Sequence, residues 1–117
     1  MNPKSDKIYI EHILDEIRRI EDFLQGWIEN EFLSSDVTAD HYAIVRGLEI
    51  IGEAASKVSQ EYRNNHSELP WRDMVDMRNK VIHEYLSVEY SVVWKTATED
   101  LPLLKSQIEN ILKTGPL

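Results

Sequence analysis

Arg78, Asn79, His83 and Tyr85 are the residues whose types and spacing could do chemistry in this chain. They fall within Asp76 to Tyr85, which reads D-M-R-N-K-V-I-H-E-Y. An arginine offers a permanent charge on a planar fork that fits phosphate oxygens, and a histidine titrates near neutrality. One phosphate clamp beside one group able to take or give a proton is a minimal kit for phosphodiester chemistry. Spacing alone leaves a second reading open: an arginine paired to a carboxylate and a histidine near a helix C-terminus also make ordinary helix surface.

The element that must position these residues is a helix. Met74, Met77 and Val81 are apolar at helical spacing, and Pro70 suits a first helical turn, so the pattern predicts a helix from Trp71 to about His83. On it Asp76, Asn79 and His83 share one face, while Arg78 lies off that stripe with a side chain long enough to swing toward a shared anion. Glu84 to Glu89 breaks the pattern.

The rest of the chain narrows the class. A length of 117 residues with 42% hydrophobic content predicts one domain, spanning 1–117, with a single core. Only four Gly and four Pro argue against a many-turned β fold. No apolar run approaches the roughly 20 residues that cross a bilayer, and the N-terminus lacks a signal-peptide segment. With no cysteine there is neither a disulfide framework nor a thiolate metal site. A cytoplasmic protein with no membrane association is expected. The net charge of −8 argues against a general nucleic-acid-binding surface. Residues 1–40 hold ten acidic against four basic residues, and 41–117 hold eleven against nine, so a locally neutral or basic cleft remains available in the second part.

Taken in order, the first helix is predicted from Ser5 or Asp6, as N-cap, to about Phe32. Ile10, Ile13, Leu14, Ile17, Ile20, Leu24, Trp27 and Ile28 form its apolar stripe; Asp15, Glu16, Arg18, Arg19, Glu21 and Asp22 cover the other side. Gly26 marks a bend or a close contact. His12 and Glu16 are four apart, but two ligands without a third read as a solvated pair. A second helix runs from about Thr38 to Asn64 with Val45, Leu48, Ile51, Ala55, Val58 and Tyr62 inward. Its centre carries Gly47, Gly52, Ala54 and Ala55, small residues that let a neighbouring helix approach; Glu53 reads as structural and His66 as exposed loop. From Tyr90 a last helix carries Val93, Trp94, Ala97, Leu101, Leu104, Ile108, Ile111 and Leu112 inward, and Pro102 should kink or split it. Trp71 and Trp94 read as core rather than as base-stacking platforms. The expected fold is all-α, an antiparallel four-to-five-helix bundle.

Four blocks in this order carry a resemblance: R-G-L-E-I-I-G-E-A-A, L-P-W-R-D-M, M-R-N-K-V-I-H-E-Y and V-W-K-T-A-T-E-D-L-P. From about Ile8 to Leu112 the chain resembles the HepT family, a branch of the HEPN superfamily of small helical bundles. The resemblance implies the toxin of a type VII toxin–antitoxin pair, a homodimer acting as a metal-independent endoribonuclease without cofactor. Its partners would be RNA and an MntA-type minimal nucleotidyltransferase antitoxin. The family signature falls on Arg78, Asn79, His83 and Tyr85, and the resemblance implies that the antitoxin neutralises the toxin by AMP transfer to Tyr85. Glu84 stands where some relatives carry glycine.

Those residue types suit RNA, which carries its own nucleophile in the 2′-hydroxyl. His83 would act as base or acid and Arg78 would stabilise charge on the five-coordinate phosphorus. Asn79 would orient phosphate or His83, and Asp76 would fix the imidazole tautomer. A symmetric dimer would supply the second histidine. Tyr85 has three readings: a core aromatic, a phosphate-binding hydroxyl or a modification site. The rival to the enzyme is a noncatalytic HEPN module that binds nucleotide or scaffolds a nucleotidyltransferase.

Overall fold

The computed structural model describes residues 3–82 and 87–114, and the architecture there is all-α. The elements are α1 (Pro3–Leu24), α2 (Glu29–Ser34), α3 (Ala39–Ser56), α4 (Gln60–Asn65), α5 (Trp71–Val75), α6 (Met77–Val81), α7 (Tyr90–Lys95), a π-helical turn (Thr96–Asp100) and α8 (Leu101–Thr114). Among the described residues no helix is long and apolar enough to cross a membrane.

The stripe on α1 buries Ile10, Ile13, Leu14, Ile17 and Ile20 against Ile44, Leu48, Ile51 and Ala55 of α3, with Leu101, Leu104 and Ile108 of α8 completing the core. Side-chain pairs give the directions. Glu16 and Ile20 meet Gly47, whereas Asp6 meets Ser59, so α1 and α3 run antiparallel. Arg18 pairs with Glu109 and Glu21 with Lys105, so α8 is antiparallel to α1 as well.

Several expected helices are shorter than their apolar patterns. The first ends at Leu24 rather than Phe32, because Gly26 takes φ +85°, a left-handed conformation that glycine adopts without penalty. Ile28 is therefore exposed instead of extending the stripe, while Phe32 is buried from α2. Ser5 and Asp6 lie inside α1 rather than at its N-cap. Asp6 instead accepts hydrogen bonds from the Ser59 backbone N–H (2.8 Å) and hydroxyl (2.7 Å), fastening the start of α4 to α1. Glu16, expected on the solvent side, is buried at the α1–α3 contact and pairs with Arg19.

The second predicted helix is two, α3 and α4, separated at Lys57–Ser59, where Ser59 caps α4 through the Tyr62 N–H. Arg63 closes the junction by donating to the carbonyls of Ala55 (3.0 Å) and Val58 (3.2 Å) at and just beyond the end of α3. His66 is half-buried rather than an exposed loop residue: its ring packs on Tyr62 and its carbonyl accepts from the Trp71 indole N–H. Burial raises the Tyr62 phenol above its ordinary value, with the Asp6 and Glu68 charges adding to the effect. Tyr90 is raised in the same way, by burial and then by Tyr42.

The third predicted helix also divides. Asp76 (φ −86°, ψ 6°) interrupts it between α5 and α6, and Ile82 is already extended (φ −114°, ψ 124°), so the helix stops at Val81 and not at His83. Ile82 and Val88 form an isolated antiparallel bridge. The last helical run continues from Tyr90 to Thr114 but changes geometry just ahead of Pro102. Proline has no N–H for the carbonyl four residues back, and the turn ahead of it widens to π geometry. Trp71 is buried and Trp94 half-buried against Phe32, both as core aromatics.

Candidate active site at the α3–α6 contact

Gly52 sets the geometry of the motif segment. A Cβ at that position would lie 3.2 Å from the Val75 carbonyl oxygen, 3.3 Å from that of Met74 and 3.8 Å from the Arg78 backbone nitrogen. The chain joining α5 to α6 therefore rests its backbone directly on α3, a separation that any larger residue would widen. Met74, Met77 and Val81 bury the inner side of this segment, which leaves Asp76, Arg78, Asn79 and Lys80 exposed.

Arg78 follows at the start of α6. Its Nε lies 3.5 Å from Oε2 of Glu49, which stands one helical turn before Gly52 on the same face of α3. The Glu49 side chain is only 20% exposed, whereas that of Arg78 is 53% exposed. The carboxylate thus sits in the wall and the guanidinium at the surface. Among the described residues Nη1 and Nη2 of Arg78 have no hydrogen-bond partner.

Asn79 and Asp76 engage each other, Asn79 Nδ2 donating to Asp76 Oδ1 at 2.9 Å. Lys80 reaches Asp100 of the π turn at 3.4 Å. Asp76 also edges an open concavity whose walls include Arg63, Asn64, Trp71 and Arg72, which places cationic and amide groups next to the motif. The structure thus brings Asp76, Arg78 and Asn79 together at one exposed helix start. His83 and Tyr85, with Glu84, lie outside the described residues. The expectation that Asp76, Asn79 and His83 share one helical face does not carry over, because the helix is interrupted at Asp76 and ends at Val81.

Glu49 is the residue that sequence reasoning passed over. Its one signal was an acid beside two inward positions, Leu48 and Ile51, in a helix whose small residues advertised a close neighbour. Glu53, read as structural, pairs with Arg46 at 3.3 Å on the outer face of α3. His12 is exposed, and among the described residues no three His, Cys, Asp or Glu side chains converge on a point where a metal could sit.

The sequence profile described as "Ribonuclease HepT-like" matches residues 13–111. The chain belongs to the HepT-like ribonuclease family. A Thermococcus cleftensis protein named "Probable ribonuclease HepT" is 41% identical over 110 residues, covering 94% of this chain and 98% of that one. A "Putative RNase" of Caldanaerobacter subterraneus is 38% identical over 110 residues, 94% of this chain and 96% of its own. A Methanocaldococcus jannaschii relative with the same style of name is 37% identical over 112 residues, 95% of this chain and 91% of its own. No solved structure matches the chain significantly. In this HepT-like chain the family match spans α3, the α5–α6 junction and the whole stretch from Asp76 to Tyr85.

Proposed function

We propose that the chain is a metal-independent endoribonuclease whose catalytic pair is Arg78 and His83. The observation that carries this reading is the presentation of Arg78. In a chain of a ribonuclease family, the arginine of an Arg-Asn-…-His-x-Tyr stretch sits at the surface with Nε beside Glu49, and its terminal nitrogens have no partner among the described residues. In the proposed reaction a base takes the proton of the RNA 2′-hydroxyl, the freed oxygen attacks phosphorus, and the P–O5′ bond breaks as an acid protonates the leaving oxygen. The products are a 2′,3′-cyclic phosphate and a 5′-hydroxyl end. Arg78 stabilises the added charge on phosphorus, His83 moves protons, and Asn79 orients phosphate with Asp76 bracing it through their hydrogen bond. One imidazole does not serve both proton transfers at once, so the active form is a homodimer that places two motif copies in one cleft.

On this reading the chain is the toxin of a toxin–antitoxin pair. A minimal nucleotidyltransferase silences it by transferring AMP to Tyr85, which would set an anion and a base beside Arg78.

The test uses purified wild type, Arg78→Ala and His83→Ala on RNA in excess chelator. Wild type cleaves and leaves cyclic phosphate ends, both variants lose at least about 100-fold in rate, and all three keep the same helical content. Cleavage that stops with chelator and returns with magnesium overturns the mechanism. Cleavage by a species that sediments only as monomer overturns the composite site. A nucleotidyltransferase with ATP that adds no AMP-sized mass, or adds it equally to Tyr85→Phe, overturns the proposed control.

A further inference from the structure

Glu49 is a carboxylate in a wall. Its side chain is four-fifths covered, and the one partner it has among the described residues is Arg78. The nearest other cation on its own helix, Arg46, is engaged with Glu53. An acid placed this way needs a counter-charge. The close approach at Gly52 brings the α6 backbone to α3 within reach of one, since the Arg78 nitrogen lies 3.8 Å from a Cβ built there.

We propose that Glu49 is a positioning residue for Arg78: it holds the guanidinium through Nε and turns the Nη1–Nη2 edge outward to receive the scissile phosphate of RNA. The inference rests on the ribonuclease reading above. Phosphate recognition by arginine is strongest when two parallel N–H groups meet two oxygens, so the Nη edge must arrive in one orientation. A free arginine samples many rotamers, and a group fixed beforehand needs no reorganisation when charge develops on phosphorus. An ion pair at Nε, 3.5 Å from Oε2, draws the guanidinium toward the α3 wall without occupying that edge. A purely stabilising pair is the competing account. It is disfavoured because an ion pair with one partner more than half exposed adds little to stability.

The two accounts part in kinetics. Glu49→Ala is expected to lower kcat for RNA cleavage about tenfold with KM within about twofold, at an unchanged thermal midpoint, because substrate still meets the cation but not in the productive orientation. Glu49→Gln keeps the shape of the side chain but not its charge, and should recover only a small part of that loss. Arg78→Ala supplies the sharper readout. Free guanidinium added to this variant should restore part of the activity by docking on Glu49, and Arg78→Ala/Glu49→Ala should show no such rescue. Equal rescue with and without Glu49, or a Glu49→Ala enzyme as fast as wild type or faster, overturns the proposal. The pairing is also read without any activity. The Arg78 Nε resonance, assigned by its disappearance in Arg78→Lys, should shift in Glu49→Ala, which removes the carboxylate beside it. A resonance indifferent to that change overturns the pairing itself, while a wild type that cleaves no RNA overturns the ribonuclease reading on which it rests.

Discussion

Two glycines five residues apart on α3 serve two seams of opposite character. At Gly47 the neighbour is side chain: a Cβ would come within 2.8 Å of Cδ1 and Cγ1 of Ile20 and 3.4 Å of the Glu16 carboxylate. At Gly52 the neighbour is backbone, the carbonyls of Met74 and Val75. The first seam joins long helices with a buried interior and a far anchor, the Asp6–Ser59 hydrogen bonds. The second joins α3 to two one-turn helices that meet at an interruption. A side chain can rotate away from an intruding methyl, but a carbonyl moves only with its chain. Crowding the first seam is therefore answered by the core, and crowding the second by displacement of Arg78.

Three substitutions put that contrast at risk. The largest effect is expected from Gly47→Val, which sets a branched side chain against fully packed Ile20. It should cost on the order of 3 kcal/mol in denaturant unfolding while leaving RNA cleavage per folded molecule near wild type. A drop in specific activity with stability intact would reverse the assignment of the two seams.

Gly52→Ala should do the opposite. Its methyl meets carbonyls at 3.2 and 3.3 Å, so the α5–α6 backbone must give by a few tenths of an ångström. The helix-propensity gain of about 1 kcal/mol roughly offsets that strain. Stability should stay within about 1 kcal/mol, and cleavage should fall about tenfold because Arg78 shifts away from Glu49. Full activity in this variant would mean that the second seam does not set the arginine's position.

The smallest effect sharpens the first seam and belongs to alkaline solution. Burial, Asp6 and Glu68 raise the Tyr62 phenol, so the native state keeps the proton that the unfolded chain gives up near its ordinary value of 10.0. The resulting stabilisation is complete below that value and is lost as pH rises through the raised native one. Wild type should therefore lose more stability than Tyr62→Phe between about pH 9 and 11, a difference that urea titrations at several pH values would resolve. Tyr90, raised too, keeps a residual decline in both proteins.

Most of the buried set was legible because burial follows helical period. Ile10, Ile13, Leu14, Ile17, Ile20, Leu48, Ile51, Met74, Met77, Val81, Leu101, Leu104, Ile108 and Ile111 are predicted inward and are buried, while Leu112 is only partly covered. The interruptions were not legible for the same reason. Asp76 turns the chain with a near-helical ψ of 6°, so the inward spacing of Met74, Met77 and Val81 passes through it without losing phase. Gly26 did carry a local signal, and the apolar pair Trp27 and Ile28 beyond it masked it. At the proposed site, the sequence offers candidates by residue type, and the clustering of Asp76, Arg78 and Asn79 is local. The Arg78–Glu49 pair joins residues 29 positions apart on different helices, and no periodicity along the chain encodes such a meeting.

The π turn at Thr96–Asp100 is a surplus residue written into a helix. Val93, Ala97 and Leu101 face the core at two successive steps of four, which in an unbroken α-helix would leave Leu101 about 80° out of register with Val93. A chain shorter by one residue here would place the same two side chains seven apart, in register within about 20°, and would need no widened turn. The segment is thus a natural place for length variation. Relatives that have lost or kept the extra residue can share one core, and a one-residue gap between Thr96 and Asp100 in a related sequence would mark a regular helix rather than a damaged fold.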